Sequence, residues 1–208
     1  MLKSTYTNHD ECLRAILEIC GLERFDLDPT YSKGNFYKSI PEPRICGDLD
    51  EECGVLPMDS RSTGLQDNSI GSIMFDPPFL ATKGPSLGTT EGNLIVGRFK
   101  CYPDEKMLHQ FYVDSLREFW RILKPNGFLI FKCQDKVSSG KQYFSHIYIH
   151  NWALLIGFYP KDLLIYIHPT RVISGKHSNQ QHVRKFHSYY FIFQKMKPKV
   201  RPDDLVEV

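Results

Sequence analysis

The chain predicts an α/β fold, a mostly parallel twisted sheet with helices on both of its faces. Three observations carry that expectation. Short apolar runs alternate with helical stretches along the 208 residues; the buried-strand runs IGSIMF (70–75) and FLIFKC (128–133) bracket an amphipathic stripe; and acidic residues recur where the runs end. With 41% hydrophobic and 24% charged residues, the chain has the composition of a globular protein able to bury one full core. One domain over 1–208 is expected, with about 198–208 as a loose tail.

HDECLRAILEIC (9–20) reads as the first helix, with Asn8 capping its start, Glu11 placed to complete a capping box and Gly21 ending it. RFDLDPTY (24–31) is a short strand broken at Pro29, running into the loop SKGNFYKS. PRICGD (43–48) and GVLPMDS (54–60) are two more short strands, each with an acid at its end. IGSIMF must stop at Pro77 and Pro78, which cannot donate to a sheet ladder. Residues 80–103 are rich in Gly and Thr without a period, the kind of long loop that usually serves a site. Leu108, Tyr112, Leu116, Phe119 and Leu123 form one stripe of a helix over 104–123, which KPNG stops. FLIFKC follows as a buried strand, then a helix over 143–158 and a strand DLLIYIH (162–168). SYYFIFQK (188–195) is the last strand, and its alternation suits a sheet core better than a stacking platform.

Net charge is only +2, but residues 163–202 hold no Asp or Glu against eight Lys/Arg and four His. That stretch suits either a solvated basic face or an anionic partner. Six cysteines (12, 20, 46, 53, 101, 133) form no CxxC pair and have no zinc-like spacing to His, so reduced packed thiols and no metal are expected. His177, His182 and His187 recur every fifth residue, which spreads them over different faces of a helix. The first residues lack the apolar stretch of a signal peptide and no segment has the length of a membrane span, so a cytoplasmic protein is expected.

Ligands of parallel sheets sit beyond the carboxyl ends of the strands. Asp28, Asp48, Asp59 and Asp76 all fall at such ends, which marks that edge as a candidate site.

MFDPPF resembles motif IV of the S-adenosylmethionine-dependent amino-methyltransferases, which methylate exocyclic amines of adenine or cytosine. FYVDSLREFWRILKPNGFLIFKCQD is similar to the helix and fifth strand of that family. MDSRSTGLQDNSIGSIMFDPPF is similar to the segment in which an acid after strand three precedes motif IV. TYSKGNFYK, DPPF, FKCQD and RKFHSYYFIF together resemble small phage- or prophage-type DNA methyltransferases. The resemblance covers most of residues 24–195. It implies a Rossmann-like class I methyltransferase fold, S-adenosylmethionine as cofactor and nucleic acid as partner. The chain departs from the family at motif I: no GxGxG follows the first strand, and DLDPTYSKGNFY stands there with the single Gly34. The resemblance assigns Asp28, Thr30, Tyr31, Ser32 and Gly34 to the donor's methionine end. It assigns Asp59 and Ser60 to the donor's adenine, and Asp48 or Asp50 to its ribose hydroxyls. The other reading of TYSKGNF is an ordinary turn that needs Gly34 for positive φ. The family also occurs in permuted forms, and both orders stay open at this point.

The chemistry of such an amine fits these residues. Its lone pair is delocalised into the ring, so attack requires acceptors that hold both N–H groups while the nitrogen becomes tetrahedral. Asp76 and the Pro77 carbonyl are the candidate acceptors, Pro78 stiffens the segment and Phe79 is placed to stack the base. Transfer from a sulfonium is an in-line displacement governed by positioning, with no metal needed. Lys132, Gln134 and Asp135 end the strand beside motif IV and are candidates for substrate contact. Arg171, Lys176, Arg184 and Lys185 are candidates for phosphates. The expected activity is methyl transfer to an exocyclic amine of a nucleic-acid base, N6 of adenine in DNA first. An RNA base, or a non-catalytic nucleic-acid-binding subunit, is the alternative. A base in a duplex would have to be flipped out.

Overall fold

Alternate residues of the central strands face opposite ways, and each set packs on its own helix layer. The computed structural model describes residues 1–79, 81, 102–138, 140–169, 182–196, 199 and 201–205. In chain order the elements are β1 (Thr5–Tyr6), α1 (His9–Cys20), β2 (Leu27–Asp28), β3 (Ile45–Asp48), β4 (Leu56–Pro57) and β5 (Ile70–Phe75). They continue with α2 (Glu105–Ile122), β6 (Leu123–Cys133), β7 (Lys136–Ser138), β8 (Lys141–Tyr143), α3 (Ser145–Ile156), β9 (Tyr159–Ile167) and β10 (His187–Gln194). Ile73, Phe75, Leu129, Phe131, Phe191 and Phe193 join the core under α2 and α3. Met74, Ile130, Tyr190 and Ile192, the residues between them, join the core under α1.

The main sheet runs β1-β9-β10-β6-β5-β2-β3-β4. β6, β5, β2, β3 and β4 are parallel to one another; β10 lies antiparallel between β6 and β9. From β2 the chain steps outward through β3 to β4, then returns to β5 on the other side of β2. The crevice between β2 and β5 is therefore the topological switch point of a doubly wound, Rossmann-like class I sheet. β2, with its acid Asp28, precedes β5 in the chain.

The first helix spans the residues expected. The Asn8 side chain accepts from the backbone N–H groups of Asp10 and Glu11, and Gly21 closes the helix at φ 64° with its N–H on Glu18. α2 ends at Ile122 as KPNG requires, but the chain rejoins the sheet at once: Leu123 already pairs with Ile70, and the register slips before Ser72 meets Phe128. Gly127 sits in that slip, where a Cβ would lie 2.9 Å from the Gly71 carbonyl. The buried Lys195 ammonium caps the end of α2, donating to the Trp120 and Leu123 carbonyls (both 2.6 Å) and to Asn68 Oδ1 (2.9 Å).

Three features differ from the sequence expectation. β1 adds an edge strand beside β9, the β7–β8 hairpin occupies part of the stretch before α3, and β9 begins at Tyr159 rather than 162. Within the segment expected to be a loose tail, Pro202–Leu205 forms a 3-10 turn, and the Lys199 ammonium stands 5.0 Å from the Trp120 ring centroid. Most of the loop 80–103 and the stretch 170–181, with Arg171, Lys176 and His177, lie outside the described residues. No described helix is long and apolar enough to cross a membrane.

Candidate active site

Because β2, β3, β4 and β5 run parallel, the acids that follow them meet at one sheet edge. A cleft of about 470 Å³ lies there, within the range usual for small-molecule sites. Six of the nine residues named for the cofactor line it: Thr30, Ser32, Asp48, Asp50, Asp59 and Ser60. Asp76 and Pro78 complete its polar rim and floor, and Leu49, Met58, Met107 and Phe111 supply apolar wall. None of the described lining residues is Lys or Arg. With acids and no cation among its described lining residues, such a cleft disfavours phosphate and suits a ligand bearing positive charge and hydroxyl groups.

Each acid has a distinct role in the local structure. Asp48 accepts from the backbone N–H of Ser32 (2.9 Å) and of Asp50 (2.8 Å), which pins the loop after β2 to β3; Ser32 there holds φ 53°. Asp59 grips Arg61, with Nη2 at 2.6 Å, and that hydrogen bond holds its carboxyl below the usual range. The Ser60 hydroxyl is buried against Ser115 Oγ at 3.0 Å. Tyr31 and Gly34 do not line the cleft. Tyr31 stacks on Tyr37 at 5.4 Å and donates to Glu42, while Gly34 turns at φ 65° where a Cβ would lie 2.4 Å from the Tyr31 hydroxyl. At these two positions the structure has the ordinary turn, with Gly34 needed for its conformation and its space.

Asp28 lies beneath the cleft, 2% exposed. It accepts from the Tyr37 hydroxyl (2.5 Å), the Thr30 backbone N–H (2.8 Å) and the Thr30 hydroxyl (3.0 Å). Burial nonetheless raises its pKa to about 7, against these hydrogen bonds. The same Thr30 hydroxyl accepts from the Asp76 backbone N–H at 3.0 Å. One hydroxyl thus ties the end of β2 to the end of β5. Replacing Thr30 with valine keeps the shape and removes both bonds, so a loss of about 1–3 kcal/mol is expected in chemical denaturation. A change below about 0.5 kcal/mol would show that this link is not holding the edge together.

The Asp-Pro-Pro-Phe segment is fixed from three sides. Tyr112 donates to the Pro78 carbonyl at 2.7 Å. Lys136 donates to the Phe79 carbonyl and pairs with Glu105 at 3.0 Å. Lys132 Nζ stands 3.1 Å from Asp76 Oδ2. That ammonium belongs to a residue 8% exposed and lies 4.6, 5.5 and 5.8 Å from the ring centroids of Phe36, Phe79 and Tyr190. Burial raises the Asp76 carboxyl and the Lys132 charge opposes the rise. Two acceptors are left over. Asp76 Oδ1 is buried without a hydrogen-bond partner, and no described group donates to the Pro77 carbonyl. An unmet buried carboxylate oxygen is costly, and a substrate N–H is a natural partner for it.

The remaining candidates are scattered. Gln134 donates to the His187 carbonyl of β10 at 2.9 Å, and Asp135 is buried against His146 Nδ1 of α3 at 2.7 Å, so both are engaged within the fold. Arg184 is exposed and Lys185 half-buried in the approach to β10. Tyr37, Tyr112 and Lys136, which bond Asp28 and the Asp-Pro-Pro-Phe segment, were not among the sequence candidates. Tyr112 stood on the apolar stripe of α2, where nothing local distinguishes a phenol that reaches a carbonyl from one that merely fills the core.

No protein-family profile matches the chain, and neither does any curated protein. Several solved structures are similar to it. TTHA0409 from Thermus thermophilus, named provisionally as a DNA modification methylase and complexed with S-adenosyl-L-methionine, is 18% identical. The match covers 70% of this chain and 56% of that one, with a TM-score of 0.47. PvuII DNA methyltransferase, described as cytosine-N4-specific, is 16% identical over 67% of this chain and 48% of its own, with a TM-score of 0.49. TrmN from Thermus thermophilus is 16% identical over 90% and 49%, also at 0.49. The chain spans about half the length of these proteins.

Proposed function

We propose that this chain is an S-adenosylmethionine-dependent methyltransferase acting on an exocyclic amine of a nucleic-acid base, N6 of adenine in DNA first. One observation carries the reading: at the switch point an acidic cleft with no Lys or Arg among its described lining residues adjoins a rigid segment that carries a ring, Phe79, and two acceptors with no described partner, Asp76 Oδ1 and the Pro77 carbonyl. The residues present fit the donor. It has no phosphate, its sulfonium and ammonium outweigh its one carboxylate, and its ribose offers hydroxyls to Asp48 or Asp50, with Met58 and Phe111 as apolar wall. When bound, it supplies an electrophilic methyl group.

The chain's own residues do the rest. Asp76 Oδ1 and the Pro77 carbonyl accept the two amine hydrogens and draw the nitrogen out of the plane of the base, which frees its lone pair. Phe79 holds the base face, and the bonds from Tyr112 and Lys136 keep the segment from yielding when the base enters. Asp76 Oδ1 is the nearest oxygen to receive the proton that the methylated amine sheds.

Phe79→Ala tests the reading at the target side. Removing the stacking ring is expected to weaken binding of an adenine-containing single strand by about 1–3 kcal/mol and leave the donor's affinity unchanged. Equal loss of both would mean that Phe79 supports the cleft as a whole. Transfer of labelled methyl to protein but not to DNA or RNA would replace the proposed substrate class.

A further inference from the structure

Resting on the proposed methyl transfer, we infer that Lys132 reads the ring nitrogen next to the target amine, N1 of adenine or N3 of cytosine, through its Nζ beside Asp76. The sheet edge presents an acceptor and a donor side by side: the Asp76 carboxylate and, 3.1 Å from its Oδ2, the Lys132 ammonium. Adenine and cytosine present the complement, an amine N–H next to a bare ring nitrogen. On the Watson–Crick edge of guanine the ring nitrogen next to the amine, N1, carries a hydrogen, so that pair is donor beside donor and meets an ammonium badly.

The position of Nζ supports this role. It already stands over the Phe79 ring, 5.5 Å from the centroid. A base lying on Phe79 with its amine on Asp76 Oδ1 brings its ring edge to that ammonium. Lysine carries three donors and only one is needed for Asp76. Phe36 and Tyr190 hold the side chain from behind, and Tyr190 is itself held by His9 Nε2 at 2.7 Å, so the ammonium is positioned before any base arrives. A structural lysine that only neutralised Asp76 would need no such placement at Phe79.

The role carries a kinetic signature. A cation on the ring nitrogen drains the amine's lone pair, so the contact helps binding and not the chemical step. Its loss is therefore expected in KM, with kcat unchanged or raised.

The experiment uses short single strands with flanks of G and T only and one defined central base: adenine, 1-deazaadenine, 7-deazaadenine, cytosine or 3-deazacytosine. For the base that is methylated, replacing the adjacent ring nitrogen by C–H is expected to lower kcat/KM by about 10–100-fold, mostly through KM. The 7-deazaadenine strand should match adenine. Lys132→Met also removes the charge that opposes protonation of Asp76, so both bases lose activity there, but the natural base should lose its advantage over the deaza base. Wild-type protein that methylates natural and deaza strands equally overturns the inference and leaves the methyltransferase reading standing, and this arm needs no variant that folds. Transfer to no strand at all overturns both.

Discussion

Asp76→Ala is expected to lower kcat by about 100-fold or more while S-adenosylmethionine still binds. Asp76 Oδ1 is the unmet buried acceptor next to Phe79, so its loss falls mainly on the amine as the nitrogen becomes tetrahedral, and only secondarily on the cleft that the same residue helps to line. The variant also leaves Lys132 buried without its carboxylate, which is expected to cost about 3–5 kcal/mol of stability. Asp76→Asn separates the two effects: its amide oxygen still accepts a hydrogen bond, so a measurable fraction of turnover should survive with near-normal donor affinity. Circular dichroism and single-turnover kinetics on both variants check this. An alanine variant with wild-type turnover would move the chemistry away from this segment.

The second large effect is on stability against pH. Asp28 titrates near 7 in the folded protein and near 4 in an unfolded chain, because burial disfavours its charge. A carboxyl whose folded pKa is raised stabilises the fold fully below the unfolded pKa, and that contribution is lost as pH climbs towards the folded one. Stability should therefore fall between about pH 4 and pH 7 by an amount on the order of 2–4 kcal/mol from this group, and flatten above. Asp28→Asn accepts the Thr30 bonds on its oxygen and cannot titrate, so its denaturation midpoint should vary much less over that window. A variant with the same pH slope as wild type would assign the slope to other groups. The tie through Thr30 to the Asp76 backbone makes the β2–β5 edge the place where that loss is first felt.

Much of the fold was legible because the central strands, buried on both faces, read as continuous apolar runs. IGSIMF and FLIFKC each alternate between two cores, and Asn8, Gly21 and KPNG mark helix ends by backbone chemistry that acts locally. What stayed hidden depends on partners distant in the chain. β1 is two residues long and exists because β9 pairs with it. The antiparallel setting of β10 follows from its insertion between β6 and β9, which no local pattern announces. At the site, the strand-end acids were readable as a row, since parallel strands must place their ends together. Their division of labour was not. Asp28 went beneath the cleft because Tyr37 and Thr30 cover it, and Tyr31 turned to Tyr37 and Glu42. The pairing of Lys132 with Asp76 joins residues 56 apart, on neighbouring strands whose register only the folded sheet defines.

Isothermal calorimetry with S-adenosylmethionine, and with ATP as a phosphate-bearing adenosine of similar size, tests the acidic cleft directly. The expected result is one-site binding of S-adenosylmethionine, retained in Asp76→Asn, with no competition from ATP because Asp48 and Asp50 repel its phosphates. No heat with S-adenosylmethionine at millimolar concentration, or binding of ATP in its place, would contradict the assignment of this cleft to a methyl donor.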